Sequence, residues 1–152
     1  DISPDSIRPM GANPTPLPFG PVSSSLQTHM IDGAENNWPS YQSSRQFEVA
    51  RYWSDTQHSF SPDALLMSKA SFEQLTPADR ELVRDVARRS VQVMRVEWDK
   101  RQAEARAAVV AAGTQIAQVD REAFASTVRP VLDKYLSEPR LRALHERIAA
   151  VA

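Results

Sequence analysis

The stretch of sequence that decides the fold covers residues 76–113 and reads TPADRELVRDVARRSVQVMRVEWDKRQAEARAAVVAAG. Thr76 is a favourable N-cap, Pro77 suits the first helical position, and Asp79 lies near the positive end of the helix dipole. No helix-breaking residue follows before Gly113. Apolar residues recur at helical spacing: Val83, Ala87, Val91, Met94, Trp98, Ala105, Val109 and Ala112. We therefore predict one helix of roughly 36 residues, about 54 Å long.

The two parts of the chain differ in composition. Eight of the 11 prolines and three of the four glycines lie in the first 62 residues, which predicts short elements and frequent turns there. The formal net charge of the 152 residues is −1, so nucleic acid is not an expected partner. No apolar run approaches the roughly 18 residues of a membrane span, and the absence of cysteine excludes disulfides and thiol chemistry.

The remaining elements are short. We predict an extended, proline-rich path over residues 13–19, short helices over 23–30 and 43–50, strands over 51–59, 64–68 and 114–119, and helices that begin after Asp120 and at Pro139. Helices that alternate with extended segments indicate an α/β fold. Three short strands are too small a sheet to cover so long a helix, so we expect the chain to be part of a larger protein.

Catalytic and metal sites are not expected. His29, His58 and His145 are far apart in sequence, and no two histidines share the spacing that places both on one helical face. Four glycines cannot supply a phosphate-binding loop, and the serines at 23–25 lack the glycine-flanked turn of a nucleophile. The sequence therefore indicates no enzyme, no cofactor and no metal.

Polar chemistry concentrates over residues 35–41, which read ENNWPSY. Amides donate and accept hydrogen bonds, a tyrosine adds a hydroxyl, and a tryptophan offers an aromatic face, so the segment suits an oxygen-rich small ligand such as a sugar acid. The alternative is an exposed turn, because Asn, Pro and Ser are common turn residues.

Several segments, in order and spacing, resemble one known family. They are residues 11–20 (GANPTPLPFG), 26–28 (LQT), 31–36 (IDGAEN), 66–69 (LMSK) and 75–80 (LTPADR), together with Tyr52, Thr56, His58, Gly113 and Tyr135. This pattern is similar to the periplasmic substrate-binding proteins of TRAP transporters, the DctP family, and the extended ENNWPSY segment is similar to the members that bind uronates.

The resemblance implies a two-lobe, type II periplasmic binding protein-like fold with a long brace helix. Such a receptor closes over an organic acid, such as glucuronate or galacturonate, and delivers it to the TRAP membrane permease. Residues 1–41 would be the ligand-cleft segment that crosses between the lobes, and residues 42–152 the C-terminal lobe with the long helices. We expect the N-terminal lobe to be missing, and the lack of a recognisable signal peptide fits a fragment.

The resemblance also implies a set of ligand-binding residues. Phe19 matches a ligand-facing aromatic of the family, and Asn36 matches the asparagine that contacts the polar head of the ligand. The other candidates are Glu35, Asn37, Trp38, Tyr41 and His58. The family's carboxylate-clamping arginine has no match, because Arg8 lies in the helix before the proline-rich segment. His29 stands where glycine is common at a helix end, which is unfavourable for a side chain.

A helical interaction module without ligand binding is the alternative function. Its long helix would form a homodimer. Ser90, Arg101 and Gln102 interrupt the apolar seam that a coiled coil needs, so packing within the receptor is the favoured role of the helix.

Overall fold

The computed structural model describes residues 2–151, and it divides the chain into two compact units. The first unit contains residues up to Asp32, then Trp53–Ser59, and the chain from Ile116 onward. The second unit contains Gly33–Tyr52 and Phe60–Gln115. Each unit is therefore built from segments that are distant in sequence.

The second unit is organised around the long helix. Its elements are α3 (Trp38–Ser43), a 3-10 helix at Gln46–Glu48, α4 (Lys69–Glu73) and α5 (Pro77–Ala111). Helix α3 packs on α5, whose buried residues Ala105 and Val109 lie near its C-terminal end. The core of this unit is thus at one end of α5.

The long helix begins and ends as predicted. The Thr76 side chain accepts a hydrogen bond from the backbone N–H of Asp79 (3.2 Å), and Pro77 occupies the first turn. At the other end, Gly113 adopts a φ of +100°, a left-handed conformation that favours glycine. The helix has 35 residues, close to the expected length.

The first unit contains the remaining helices. They are α1 (Ile2–Ile7), a 3-10 helix at Arg8–Met10, α2 (Val22–Gln27), α6 (Arg121–Leu136) and α7 (Pro139–Ala149). Helix α6 packs on α1, on the 3-10 helix and on α7. The side chain of Asp120 caps α6 by accepting from the N–H of Ala123 (3.1 Å), which confirms the helix start predicted there. The helix starts predicted at residue 23 and at Pro139 are also confirmed, because α2 begins at Val22 and α7 at Pro139.

The sheet is small. Strands β1 (Tyr52–Ser54) and β2 (Gln115–Ala117) pair with each other, and the N–H of Gln115 donates to the carbonyl oxygen of Arg51 at 2.8 Å. The strand predicted over residues 64–68 is wrong, because that segment contains neither helix nor strand up to Ser68. Leu65 and Leu66 are 78% and 85% exposed, and no described strand pairs with them. Strand propensity alone does not form a strand without a hydrogen-bonding partner.

The short helix predicted over residues 43–50 is confirmed only in part, as the 3-10 helix at Gln46–Glu48. The α-helix in this region is α3, which begins five residues before the predicted start, at Trp38, and ends at Ser43. The Asn37 cap and Pro39 in the first turn start it, so the polar segment that looked like a turn is largely helical. Among residues 2–151, no helix has the length and hydropathy that crossing a membrane requires.

Candidate functional site

The seven candidate residues are divided between the two units. Phe19 and His58 belong to the first unit. The second unit holds the other five, which surround the start of α3: Glu35, Asn36, Asn37, Trp38 and Tyr41.

Asn37 starts α3. Its backbone is extended (φ −100°, ψ 163°), and its Oδ1 accepts a hydrogen bond from the N–H of Ser40 at 2.9 Å. This bond satisfies one of the free N–H groups in the first turn of the helix. The Asn37 side chain therefore fixes where the helix begins.

Asn36 is half-buried and held on both sides of its amide. Its Nδ2 donates to Oε1 of Gln46 at 2.9 Å, and its Oδ1 accepts from the N–H of Asn37 at 3.0 Å. Each of these atoms can make one further hydrogen bond, because an amide NH₂ has two protons and its oxygen two lone pairs. Asn36 thus retains one donor and one acceptor in a fixed orientation.

Tyr41 lies in the core of the second unit and is 4% exposed. Its hydroxyl donates to the carbonyl oxygen of Ala50 at 2.5 Å and lies 3.3 Å from Oγ1 of Thr114. Burial raises the pKa of the Tyr41 phenol, and the hydrogen bond with Thr114 opposes that rise. The hydroxyl therefore stays protonated at neutral pH and joins α3 to the chain that follows α5.

Trp38 is half-buried between an aromatic neighbour and a cation. Its ring centroid is 6.4 Å from that of Tyr41, with an interplanar angle of 72°, an edge-to-face contact. The guanidinium carbon of Arg106 lies 5.9 Å from the Trp38 ring centroid. Glu35, just before this group, is exposed.

The two candidates of the first unit are more accessible. Phe19 is 57% exposed and follows the proline-rich segment, in which the structure has no helix or strand. His58 is exposed, and its Nδ1 lies 2.7 Å from Oγ1 of Thr56. The roles of both residues in binding stay predictions.

Three residues that support the site are absent from the sequence-based set. Gln46 bonds to Asn36, Thr114 lies beside the Tyr41 hydroxyl, and Arg106 lies over Trp38. Gln46 stands between Arg45 and Phe47, and no periodic pattern marks it as buried. These contacts join residues that are distant in sequence, so no local signal identifies them.

No cluster of three or more His, Asp or Glu side chains suited to a metal ion occurs within residues 2–151. Two surface hollows lie away from the candidates. One follows the first turns of α5, and the other is lined by Pro9, Met10, Ala123, Phe124 and Thr127. The candidate chemistry therefore lies at the start of α3 and not in either hollow.

Comparison with known proteins identifies close relatives. Residues 3–138 match DctP, the bacterial extracellular solute-binding protein family 7. A solute-binding protein of Chromohalobacter salexigens is 39% identical over 146 residues, which are 95% of this chain and 44% of that protein.

Solved structures agree with this match. A TRAP periplasmic solute-binding protein of Bradyrhizobium sp. BTAi1, in complex with galacturonate, is 44% identical with a TM-score of 0.90, over 97% of this chain and 50% of that one. A second, from C. salexigens with bound d-glucuronate, is 37% identical with a TM-score of 0.94, over 100% and 51%. The chain spans about half the length of these relatives. The resemblance seen in the sequence is confirmed: the chain belongs to the DctP family of TRAP solute-binding proteins, family 7 of the bacterial extracellular solute-binding proteins.

Proposed function

We propose that this chain forms part of an extracytoplasmic receptor that binds a uronic acid, such as glucuronate or galacturonate, and delivers it to a TRAP membrane permease. The observation that carries this proposal is the likeness to two uronate-bound TRAP proteins, with TM-scores of 0.90 and 0.94. The proposed role is binding without catalysis, in keeping with a family of solute-binding proteins.

Asn36 is the proposed polar contact with the ligand. Its amide retains one N–H and one oxygen lone pair, and a sugar hydroxyl can pair with either because it both donates and accepts. Holding the amide before binding reduces the side-chain entropy lost when the ligand arrives. Asn36 is therefore suited to distinguish the orientation of a hydroxyl group.

The other candidates are assigned different roles. The exposed ring of Phe19 offers an apolar face for a sugar ring, and His58 stays a candidate through the resemblance alone. Oδ1 of Asn37 caps α3 and the hydroxyl of Tyr41 joins α3 to Ala50, so these two residues are proposed to hold Asn36 and Trp38 in place. Glu35 stays a candidate through the resemblance alone.

The domain assignment is also part of this proposal. Residues 1–41 supply the ligand-cleft segment and residues 42–152 the C-terminal lobe. Polypeptide equivalent to the half of the relatives that this chain does not match would complete the receptor. One observation favours the alternative, a helical dimerisation module: α5 exposes large apolar side chains, including Leu82, Val86 and Met94.

A chimaera tests the proposed function. In the solute-binding protein of C. salexigens, the 146-residue match is replaced by this chain. Calorimetric titration should show that the chimaera binds d-glucuronate or d-galacturonate but not neutral d-glucose. The 152-residue chain alone should bind neither acid at micromolar concentration, because a ligand held on one side stays partly solvated. A chimaera that folds but binds neither acid would refute the proposal.

Asn36→Ala in the chimaera tests the contact itself. Affinity should fall by about 1–3 kcal/mol, the usual cost of removing a partner from a buried hydrogen bond. Gln92→Ala removes an exposed amide from α5 and should leave the dissociation constant unchanged. Equal affinities for the two variants would remove Asn36 from the binding site.

A further inference from the structure

Gln46 combines complete burial with an unpaired polar atom. Its side chain is 2% exposed, and its Nε2 has no hydrogen-bond partner among the described residues. A buried N–H without a partner destabilises a fold, and a methionine would fill the same volume without that penalty. We therefore expect the benefit of a glutamine at this position to come from its other polar atom, Oε1.

The Oε1 atom of Gln46 accepts from Nδ2 of Asn36 at 2.9 Å. The orientation of Asn36 is set independently, because the backbone N–H of Asn37 donates to Oδ1 at 3.0 Å and requires an oxygen there. Nδ2 must then face Gln46, and Gln46 must present its oxygen in return. The unpaired Nε2 is a consequence of this chain of hydrogen bonds.

The backbone holds Gln46 in this position. Arg45, just before it, has a left-handed φ of 57°, and its guanidinium pairs with Glu48 at 2.6 Å. The N–H groups of Val49 and Ala50 both donate to the carbonyl oxygen of Gln46, at 3.1 and 2.9 Å. The turn thus directs the Gln46 side chain inward, where rotation away from Asn36 is restricted.

We propose that Gln46 is a positioning residue for ligand recognition: it holds the Asn36 amide so that the remaining N–H and oxygen lone pair face the ligand. This inference rests on the proposed function, in which Asn36 contacts the uronate. Gln46 itself does not touch the ligand, because its Nε2 is buried. It acts by ordering Asn36 before binding, which reduces the entropy lost on association.

Binding by the chimaera separates positioning from general stability. Gln46→Met should weaken d-glucuronate binding about tenfold, the typical effect of losing one hydrogen bond. Its unfolding midpoint should change little, because removal of the unpaired N–H offsets the loss of the hydrogen bond with Asn36. Gln42→Met is the matched control: Gln42 also has a buried polar atom without a partner, Oε1, but makes no bond to Asn36.

The control should bind within about twofold of the unmodified chimaera, less than the effect of one hydrogen bond. Unchanged affinity in Gln46→Met would overturn the proposal. So would equal weakening in Gln46→Met and Gln42→Met, because that result would indicate a general packing effect.

A measurement without ligand tests the same inference in the 152-residue chain. In NMR spectra, the Asn36 side-chain amide proton that is bonded to Gln46 should exchange slowly with water. Gln46→Glu keeps an oxygen acceptor and should preserve this behaviour, whereas Gln46→Met should abolish it. Fast exchange in the unmodified chain, or identical behaviour in all three, would refute the role of Gln46. Failure of the chimaera to bind refutes the proposed function instead.

Discussion

At the scale of single residues, the backbone conformation of His29 lowers the stability of the fold. Helix α2 ends with the N–H of Met30 bonded to the carbonyl oxygen of Ser25 (2.9 Å) and that of His29 bonded to Leu26 (3.2 Å), the Schellman arrangement. His29 has a φ of 56° there. Left-handed backbone is unfavourable for a residue with a Cβ. The position therefore favours glycine, as the resemblance to the family implied.

His29→Gly should stabilise the chain. We expect the free energy of unfolding to rise by about 1 kcal/mol, because glycine adopts the left-handed conformation without a steric penalty. Urea denaturation followed by circular dichroism measures the change. Thr28→Gly, at the preceding residue with a φ of −88°, should instead lower stability. A lower urea midpoint for His29→Gly than for the unmodified chain would contradict this explanation.

Tyr41 stabilises the second unit through its hydroxyl. The buried phenol pairs with Ala50 and Thr114, so removal of the oxygen leaves two polar groups without this partner. We expect Tyr41→Phe to lower the free energy of unfolding by about 1–2 kcal/mol at neutral pH. Tyr52→Phe, which changes a 78% exposed tyrosine, should have little effect.

The stabilisation by Tyr41 should depend on pH in the alkaline range. Burial raises the pKa of Tyr41 in the folded state above its value in the unfolded chain, near 10. The stability that it contributes is therefore complete below pH 10 and is lost as pH rises through the folded-state pKa. Thermal unfolding curves of the unmodified chain and Tyr41→Phe should converge above pH 10. A stability difference between the two chains that stays constant up to pH 12 would contradict the stabilising role of the protonated Tyr41 phenol.

At the scale of elements, the Asp5 carboxylate links helix α1 to helix α6. Oδ2 of Asp5, in α1, accepts from the hydroxyl of Tyr135 at 2.9 Å and from Nζ of Lys134 at 3.4 Å, both in α6. The Tyr135 hydrogen bond, followed by Lys134, lowers the pKa of Asp5. The same bond raises the pKa of the Tyr135 phenol.

Tyr135→Phe should raise the pKa of Asp5 toward its ordinary value, as measured by NMR titration of the side-chain carboxyl carbon. Lys134→Met should also raise it, since Lys134 lowers the pKa of Asp5 through both a hydrogen bond and its positive charge. A lowered pKa stabilises the fold above the unfolded-state value near 4, and the effect is lost as pH falls through the folded-state pKa. The difference in melting temperature between the unmodified chain and Tyr135→Phe should narrow below pH 4. An unchanged Asp5 pKa in Tyr135→Phe would contradict the assignment.

At the scale of the whole chain, α5 exposes several large apolar side chains. Leu82 is 57% exposed, Val86 50%, Met94 50% and Val96 67%. Large apolar side chains exposed on one helix can mark a site of association or of packing against further polypeptide. The burial of α5 near its C-terminal end contrasts with this exposure along the rest of the helix.

We expect the 152-residue chain to self-associate, which light scattering would show as a mass above 17.0 kDa. The double substitution Leu82→Glu and Val86→Glu should shift it toward monomer, because the two side chains share one helical face. The chimaera should be monomeric if the matching half of the relative covers α5, and dimeric if α5 is a dimerisation helix. If the unmodified chain is a monomer that unfolds cooperatively, the exposed apolar side chains of α5 do not cause association, and this expectation is wrong.

The sequence by itself determined several helix starts and the family. Thr76 with Pro77, Asp120 and Pro139 mark helix starts that the structure contains, because a cap acts within one turn of chain. The segment IDGAEN and its neighbours were enough to identify the family, which the comparisons confirm. Local signals failed at residues 64–68, where a strand also needs a partner.

The contacts that join the candidate site to distant parts of the sequence were decided by tertiary structure alone. Asn36 meets Gln46 ten residues later, and Tyr41 meets Thr114 after 73 residues. Gln46 became buried only through packing of its turn, and no property of its sequence neighbours requires that. Hydrogen bonds between distant side chains depend on where the backbone places both partners. A linear pattern indicates which residues can bond, and only the folded chain determines which of them meet.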